Sequence, residues 1–439
     1  MRRVIDGVAA GLVLAAASLA APAQMPPAPA PQPPAQLTLA QAERIAIQNN
    51  PHISIAHLVA LAQGQVTREA RSAWMPTLTG DLTAADAHTN TRITAGLLNN
   101  PSVYDRAAGG LTVSELITDF GRTHNLVLSA KSSAQAQLES ARATQEDITL
   151  TVDQAFYRAL TAQAVLKVMH QTVAERQATA EQVGAMTKAN LRSQVDLSFA
   201  QVQLSQAQLM LLDARNEEHV AMADLNTVLG SEQDRQYTLL DQTPANPSPP
   251  PQSPEPLVQQ AFKQRPDLAA ANYNSTSARE YSKAERDLWM PTISALAAVG
   301  GTPVRSDQIQ SAWYGAAGAN VSIPIFNGFL FNAREQEAKF RANAAQQQVR
   351  NLQDNIARDV RTAVLNAQDA FQRIGVTQEM LNQSNLALDL SQRRYQLGLS
   401  SIVELTQAQL AQTQAQIAVS DARYAYATSL SVLQYQLGQ

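Results

Sequence analysis

The sequence predicts a mainly α fold with a small β part, carried by a chain that is written twice. Three observations predict it: short matches between the two halves at constant spacing, two proline-free stretches far longer than a globular helix, and a period-two segment after a Trp-Met-Pro in each half. Aromatics make up only 5% of the 439 residues. Runs rich in Ala, Gln and Leu imply helices packed closely through small side chains.

The N-terminus comes first. Arg2 and Arg3 precede a small apolar run from Gly7 to Ala20 and an Ala21-Pro22-Ala23 site. These are the three parts of a secretory signal, so residues 1–23 are expected to be cleaved. The apolar run is shorter than the about 18 to 20 residues that a spanning helix needs. A Pro/Ala-rich, extended leader (24–36) precedes a first repeat (37–240), a Pro-rich linker (241–256) and a second repeat (257–439). Cysteine is absent, which excludes disulfides, thiolate metal sites and the lipidated cysteine of a lipoprotein.

The repeat is read from matched pairs. Trp74-Met75-Pro76-Thr77 recurs 215 residues later as Trp289-Met290-Pro291-Thr292, and Asn50-Pro51 as Arg265-Pro266. Asp213-Ala214-Arg215 recurs 208 residues later as Asp421-Ala422-Arg423, and Leu229-Gly230 as Leu437-Gly438. The spacing falls once, between the Trp-Met-Pro pair and the Asp119/Asn327 pair. A loop of variable length therefore lies there, because loops absorb length changes that packed helices do not.

Each repeat opens with a short amphipathic helix, Thr38 to Asn50 in the first, where Thr38 and Gln41 stand at capping-box spacing. A second helix runs from Pro51 to about Trp74 and is stopped by Pro76. The period then becomes two. Trp313, Gly315, Ala317, Ala319, Val321 and Ile323 fall on one face, opposed by Tyr314, Ala316, Gly318, Asn320 and Ser322. That run matches the roughly 9 to 11 residues of a membrane strand. Ile293 to Val299 and Leu111 to Ser114 alternate likewise; a soluble hairpin would give the same local pattern.

From about Phe120 to Thr187, and again from about Phe329 to Gln396, long helices are expected. In the first, Ala134, Leu138, Ala141, Gln145, Ile148, Val152, Ala155, Ala159, Ala162, Leu166, Met169 and Val173 form a coiled-coil seam. At about 1.5 Å per residue each helix would span roughly 100 Å, far more than a bilayer. Return helices follow, about Val195 to Leu229 and Val403 to Leu437, with Ala200, Leu204, Ala207, Leu211 and Ala214 at heptad spacing.

The segments Leu111-Thr-Val-Ser-Glu-Leu-Ile-Thr-Asp-Phe-Gly-Arg122 and Val321-Ser-Ile-Pro-Ile-Phe-Asn-Gly328 resemble the strand-to-helix junctions of TolC-type outer membrane efflux proteins, the outer membrane factors. The duplicated order of elements is similar too, from about Leu37 to Gly438. The resemblance implies a homotrimer whose coiled-coil hairpins form an α-barrel, with four strands per chain contributing to one transmembrane β-barrel. It implies the outer membrane of a Gram-negative bacterium, with a large periplasmic portion and contact with membrane lipid. Its partners would be a periplasmic adaptor (membrane fusion) protein and, indirectly, an inner-membrane RND, ABC or MFS pump, in efflux or type I secretion.

The same resemblance places adaptor contacts at the hairpin tips, here Asn190, Leu191 and Ser193 and their counterparts Gly398, Leu399 and Ser401. Asn190 and Gly398 also suit a left-handed turn whatever their partners. The periplasmic gate of the family matches Asp196, Tyr395, Glu404 and Gln407. Ser400 stands where members carry an arginine, so the resemblance implies a closed-state network that differs here. Asp196 and Glu404 also lie near helix N-termini, where an acid is favourable in any case.

Other classes fit poorly. A formal charge of −4 spread along the chain offers no field for nucleic acid. The six histidines show no ligand spacing, and no phosphate loop, nucleophile elbow or dinucleotide fingerprint is present, so no metal, no cofactor and no catalysis is expected. The alternative is a periplasmic coiled-coil adaptor or scaffold without a pore, which would lack the strand pairs.

Overall fold

The computed structural model describes residues 35–86, 106–231, 237–244, 246–304 and 311–439. The expected signal segment, 1–23, and leader residues 24–34 lie outside them. In chain order the elements of the first half are β1 (Ala35–Leu37), α1 (Leu39–Asn49), α2 (Pro51–Ser72), β2 (Thr77–Ala85), β3 (Arg106–Thr118), α3 (Arg122–Lys188) and α4 (Gln194–Val228). After β4 (Tyr237–Leu239) come α5 (Glu255–Gln264), α6 (Pro266–Arg286), a 3-10 turn at Asp287–Trp289, β5 (Thr292–Val304), β6 (Trp313–Ser322), α7 (Leu330–Gln396) and α8 (Ile402–Leu437).

Local chemistry sets the boundaries. Thr38 caps α1 through a capping box with Gln41. Asn50 ends α1 and starts α2: its side chain accepts from the His52 amide at 2.9 Å and donates to the Val228 carbonyl at 2.9 Å. One asparagine thus breaks the helix and ties the break to the end of α4. In the second repeat Arg265 takes this place, reaching the Gln436 carbonyl at 3.4 Å. The returning chain passes close at both points. A Cβ on Gly230 would lie 2.7 Å from the Asn49 carbonyl oxygen, and one on Gly438 would lie 2.9 Å from the Arg265 amide nitrogen.

Strand turns into long helix at two matching corners. Phe120 and Gly121 take φ of 55° and 115°, and Gly328 and Phe329 take 62° and 65°. Two successive left-handed residues reverse the chain sharply, which an L-residue does only at a cost. At the first corner the buried Asp119 carboxylate accepts from the Thr123 amide at 2.7 Å and the Gly121 amide at 3.3 Å, covering donors that the uncapped start of α3 leaves open.

α3 and α7 run for 67 residues each, roughly 100 Å at about 1.5 Å per residue. Beside the first half of α3 lie α2 and α6, with Gln63 bonded to Ser133 at 3.1 Å and Ser129 to Ser277 at 3.0 Å. Along its second half run α4 and α8, with Arg158 paired to Asp224 at 2.6 Å and Gln409 bonded to Thr179 at 3.2 Å. The seam is therefore only part of what α3 buries. Ala134, Val152, Ala159, Ala162 and Met169 are buried, whereas Leu138 and Gln145 are exposed. Phe156 and Leu160, outside the seam, are buried because a second set of helices covers another side of α3. On α4 the alanines at 200, 207, 214 and 221 are all buried, one per heptad.

Two expectations are corrected at the join between the repeats. Ala35 and Gln36 are not leader but part of β1, which pairs in parallel with β4 and carries the buried Leu37 into the core. The Pro-rich linker is free of helix up to Glu255, yet it is no loose tether. Tyr426 donates to the Ser248 carbonyl at 2.6 Å, Arg423 to Thr243 at 2.7 Å and Gln368 to Pro251 at 3.0 Å, which straps the segment across α7 and α8.

The second sheet is antiparallel, in the order β2-β3-β5-β6. Thr77 of β2 and Thr292 of β5 keep the 215-residue spacing, while Ser114 of β3 and Ser322 of β6 keep 208. The length change therefore lies between the strands of each pair.

Candidate functional site

The register turns four weakly patterned strands into two unlike faces. Running across the sheet, Thr77 lies beside Ser114, then Leu296, then Gly318. The next rows on that face are Thr79, Thr112, Ala298, Ala316 and then Asp81, Gly110, Gly300, Tyr314. Hydroxyls meet across strands here, with Thr77 Oγ1 2.7 Å from Ser114 Oγ.

The opposite face reads Leu78, Val113, Ala297, Ala317, then Gly80, Leu111, Val299, Gly315, then Leu82, Gly109, Gly301, Trp313. Those three rows carry no polar side chain beyond the indole of Trp313. Glu115, beside Ala295, interrupts this face near the helix-side end of the sheet. One face suits hydrocarbon and the other water, as in a membrane β-barrel.

Strand lengths of 9, 13, 13 and 10 residues match a bilayer crossing by tilted strands. Among the described residues the sheet has two open edges, β2 and β6. Every residue of β6 is exposed. Tyr314 lies flat over two neighbours: a Cβ on Gly110 or Gly300 would meet its phenol at 2.3 or 2.5 Å. The glycines make room for the ring. Among the described residues no helix is long and apolar enough to cross a membrane.

The second group of expected residues lies at the far end of the long helices. Asn190 and Gly398 take φ of 57° and 74°, so both hairpin turns share the left-handed geometry. Leu191 is 73% exposed and Leu399 66%, with Leu397 at 73% beside them. No partner among the described residues explains three large apolar side chains held in water. Ser193 and Ser401 cap α4 and α8, accepting from the amides of Asp196 at 3.1 Å and Glu404 at 3.3 Å. The Asp196 carboxylate returns the bond, accepting from the Ser193 amide at 3.3 Å.

The four expected gate residues are thus spread over different tasks. Asp196 completes a capping box. Glu404 pairs with Arg394 at 3.2 Å, both half in solvent. Gln407 is exposed. Tyr395 is buried at 2% exposure among Val183, Ala200, Leu388, Ile402 and Leu405, and its hydroxyl has no hydrogen-bond partner among the described residues. Burial pushes its phenol pKa up; the nearby Asp196 adds to the shift and Arg192 opposes it.

Arg192 is the residue that sequence reasoning missed. Its guanidinium sits 4.2 Å from the centre of the Tyr395 ring and donates to the Tyr395 backbone carbonyl. It links the first hairpin turn to the end of α7, 203 residues on. The only hint in the sequence is that the matching position of the second turn, Ser400, carries no charge. Among the described residues no group of three or more His, Cys, Asp or Glu could hold a metal.

Comparison with known proteins agrees with this geometry. Residues 44–231 and 257–439 match the family model described as outer membrane efflux protein, one segment per repeat. The chain is 22% identical over 419 residues to outer membrane protein TolC of Salmonella enteritidis, covering 91% of this chain and 83% of that one. It is 26% identical over 404 residues to outer membrane efflux protein BepC of Brucella suis biovar 1, covering 88% and 82%. Among solved structures, the outer membrane protein VceC from Vibrio cholerae superposes with a TM-score of 0.77 at 18% identity, over 91% of this chain and 96% of that one. The outer-membrane channel OprN superposes with a TM-score of 0.79 at 18% identity, over 91% and 89%.

Proposed function

The chain belongs to the outer membrane efflux protein family, and we propose that three copies of it form one passive conduit from the periplasm to the outside. The observation that carries this reading is the sheet: an apolar face, a polar face and two unpaired edges, leading directly into helices of about 100 Å. Four strands cannot close, since the smallest membrane barrels use about eight. Edge pairing of β6 in one copy with β2 in the next removes every edge. A poreless periplasmic scaffold has no use for a sheet of this length and patterning.

In this reading the long helices line a tunnel across the periplasm, and Leu191 and Leu399, with Asn190, Ser193, Gly398 and Ser401 around them, dock a periplasmic adaptor. The adaptor couples the channel to an inner-membrane pump of the RND, ABC or MFS class, for efflux or type I secretion. The closed entrance is held by the tip contacts: Arg192 on Tyr395, and Arg394 on Glu404, with Asp196 and Gln407 beside them.

The test is mass and conductance together. Protein purified in mild detergent is expected to have the mass of three chains and to give discrete current steps in a planar bilayer. Monomeric material, or trimers that never conduct, would end the proposal. For the tips, the double variant Leu191→Asp with Leu399→Asp is expected to abolish drug efflux in cells while trimer yield stays the same; unchanged efflux would remove the docking assignment.

A further inference from the structure

Near the middle of α3, a cavity of about 600 Å³ lies between α1, α3, α8 and the proline strap. Phe156, Tyr157, Leu160 and Leu430 give it apolar walls. Two carboxyls line it as well, Glu43 from α1 and Asp153 from α3. Asp153 is only 6% exposed, and its Oδ1 has no hydrogen-bond partner among the described residues. An unpartnered carboxylate oxygen held out of water costs free energy that something must offset.

Among the described residues the one cation lining the cavity is Arg423, and it is engaged elsewhere, 3.1 Å from Asp241 and donating to the Thr243 carbonyl at 2.7 Å. The other titratable groups around the pair are acids and phenols: Asp241 on the strap, Tyr157 on α3 and Tyr424 on α8. Burial pushes Glu43 up to about 7, with the charge of Asp153 and a hydrogen bond between the two carboxyls adding to it. Asp153 is raised as well, chiefly by burial, while bonds from Ser431 and Glu43 pull it back.

The fold does not require these acids. At the matching positions of the second repeat stand Val258, buried in its own core cluster, and Arg361, 3.9 Å from Glu255. The same architecture is therefore built without a carboxyl pair, and the pair belongs to the cavity.

We propose that this cavity binds an organic monocation with an apolar body, its ammonium held between Glu43 and Asp153 and its body against Phe156, Tyr157, Leu160 and Leu430. A divalent metal fits less well, because calcium takes about six to eight oxygen ligands, more than two carboxyls supply. The volume suits a small drug-sized molecule, within the roughly 300 to 1,000 Å³ of ordinary ligand pockets. The site lies in the wall between helices and stands whether or not the protein conducts.

Titration calorimetry of the intact protein in nanodiscs, with benzylammonium chloride as probe, tests the idea. We expect one saturable site per chain, with the shared proton released on binding, so that affinity falls by about tenfold per pH unit below pH 7. Benzyl alcohol, with the same body and no charge, is expected to bind at least tenfold more weakly. Asp153→Asn should cost at least tenfold in affinity, and Glu43→Gln should remove the pH dependence, with thermal melting confirming that both variants fold. Absence of a saturable site, equal binding of benzyl alcohol, unchanged affinity in Asp153→Asn, or displacement by millimolar magnesium would each overturn the proposal.

Discussion

If the tip contacts hold the proposed entrance closed, truncating Arg192 to alanine should unlatch it, and the size of the effect can be worked from its two contacts. The guanidinium donates to the Tyr395 carbonyl and lies 4.2 Å from the ring centre. A charge-assisted hydrogen bond contributes about 1.5 to 3 kcal/mol. A cation over an aromatic face adds about 0.5 to 1 kcal/mol at an exposed site. Arg192 is half-buried, so the lower ends apply, and about 2 kcal/mol per subunit corresponds to roughly thirtyfold in the closed-to-open ratio.

Arg394 is the internal control. Its pair with Glu404 is exposed on both sides, and such pairs contribute about 0 to 1 kcal/mol. Single-channel recording should therefore show a large rise in open probability for Arg192→Ala, a rise of less than about fivefold for Arg394→Ala, and an intermediate value for Arg192→Lys, which keeps charge but loses the planar stack. An Arg192→Ala channel within twofold of the parent, or one less open than Arg394→Ala, would refute the latch.

Three further outcomes follow from the geometry. Gly230→Ala forces a Cβ to 2.7 Å from the Asn49 carbonyl oxygen at a φ of +69°. It should lower the melting temperature by an amount matching at least about 1 to 2 kcal/mol. Gly300→Val meets the Tyr314 ring at 2.5 Å and the Gly109 carbonyl at 2.6 Å, while nothing lies within 4 Å of Gly318. The first should lose the heat-modifiable band on gels and Gly318→Val should keep it. Glu43 has its pKa raised from 4.5 to about 7. The folded chain therefore holds an extra proton between those values, and stability falls as pH rises through them. Glu43→Gln should match the parent at pH 5 and melt higher than it at pH 8.

The helices were legible because their signals are local. Thr38 with Gln41, Asn50-Pro51 and the prolines at 76 and 291 each act within one turn, and the ends found lie close to those read. The sheet was legible only in outline. Each strand mixes alanine and glycine into both faces, and the division into Thr77-Ser114-type rows and Leu78-Val113-type rows emerges only when the register aligns four strands. Phe156 and Leu160 escaped the seam because a heptad stripe describes one partner, and α3 has several.

At the tips the turn geometry of Asn190 and Gly398 followed from residue type, yet Arg192 did not. A lone arginine in a turn carries no signal when its partner is 203 residues away. The same holds for Glu43 and Asp153, which sit on different helices and meet only in the folded chain.

The open flanks of the sheet have a consequence for how the protein is made. If copies of the chain close one barrel, as proposed, each new copy carries β2 and β6 as two adhesive borders, each waiting for the opposite border of a sister. Ring closure is then a race against mispairing, and its yield depends on how many competent sisters are near. A copy whose β6 is blunted by a proline could join through β2 but offer nothing to the next. Even a minority of such copies would strand good ones in unfinished rings, so damage to a single border should be dominant over the intact gene product.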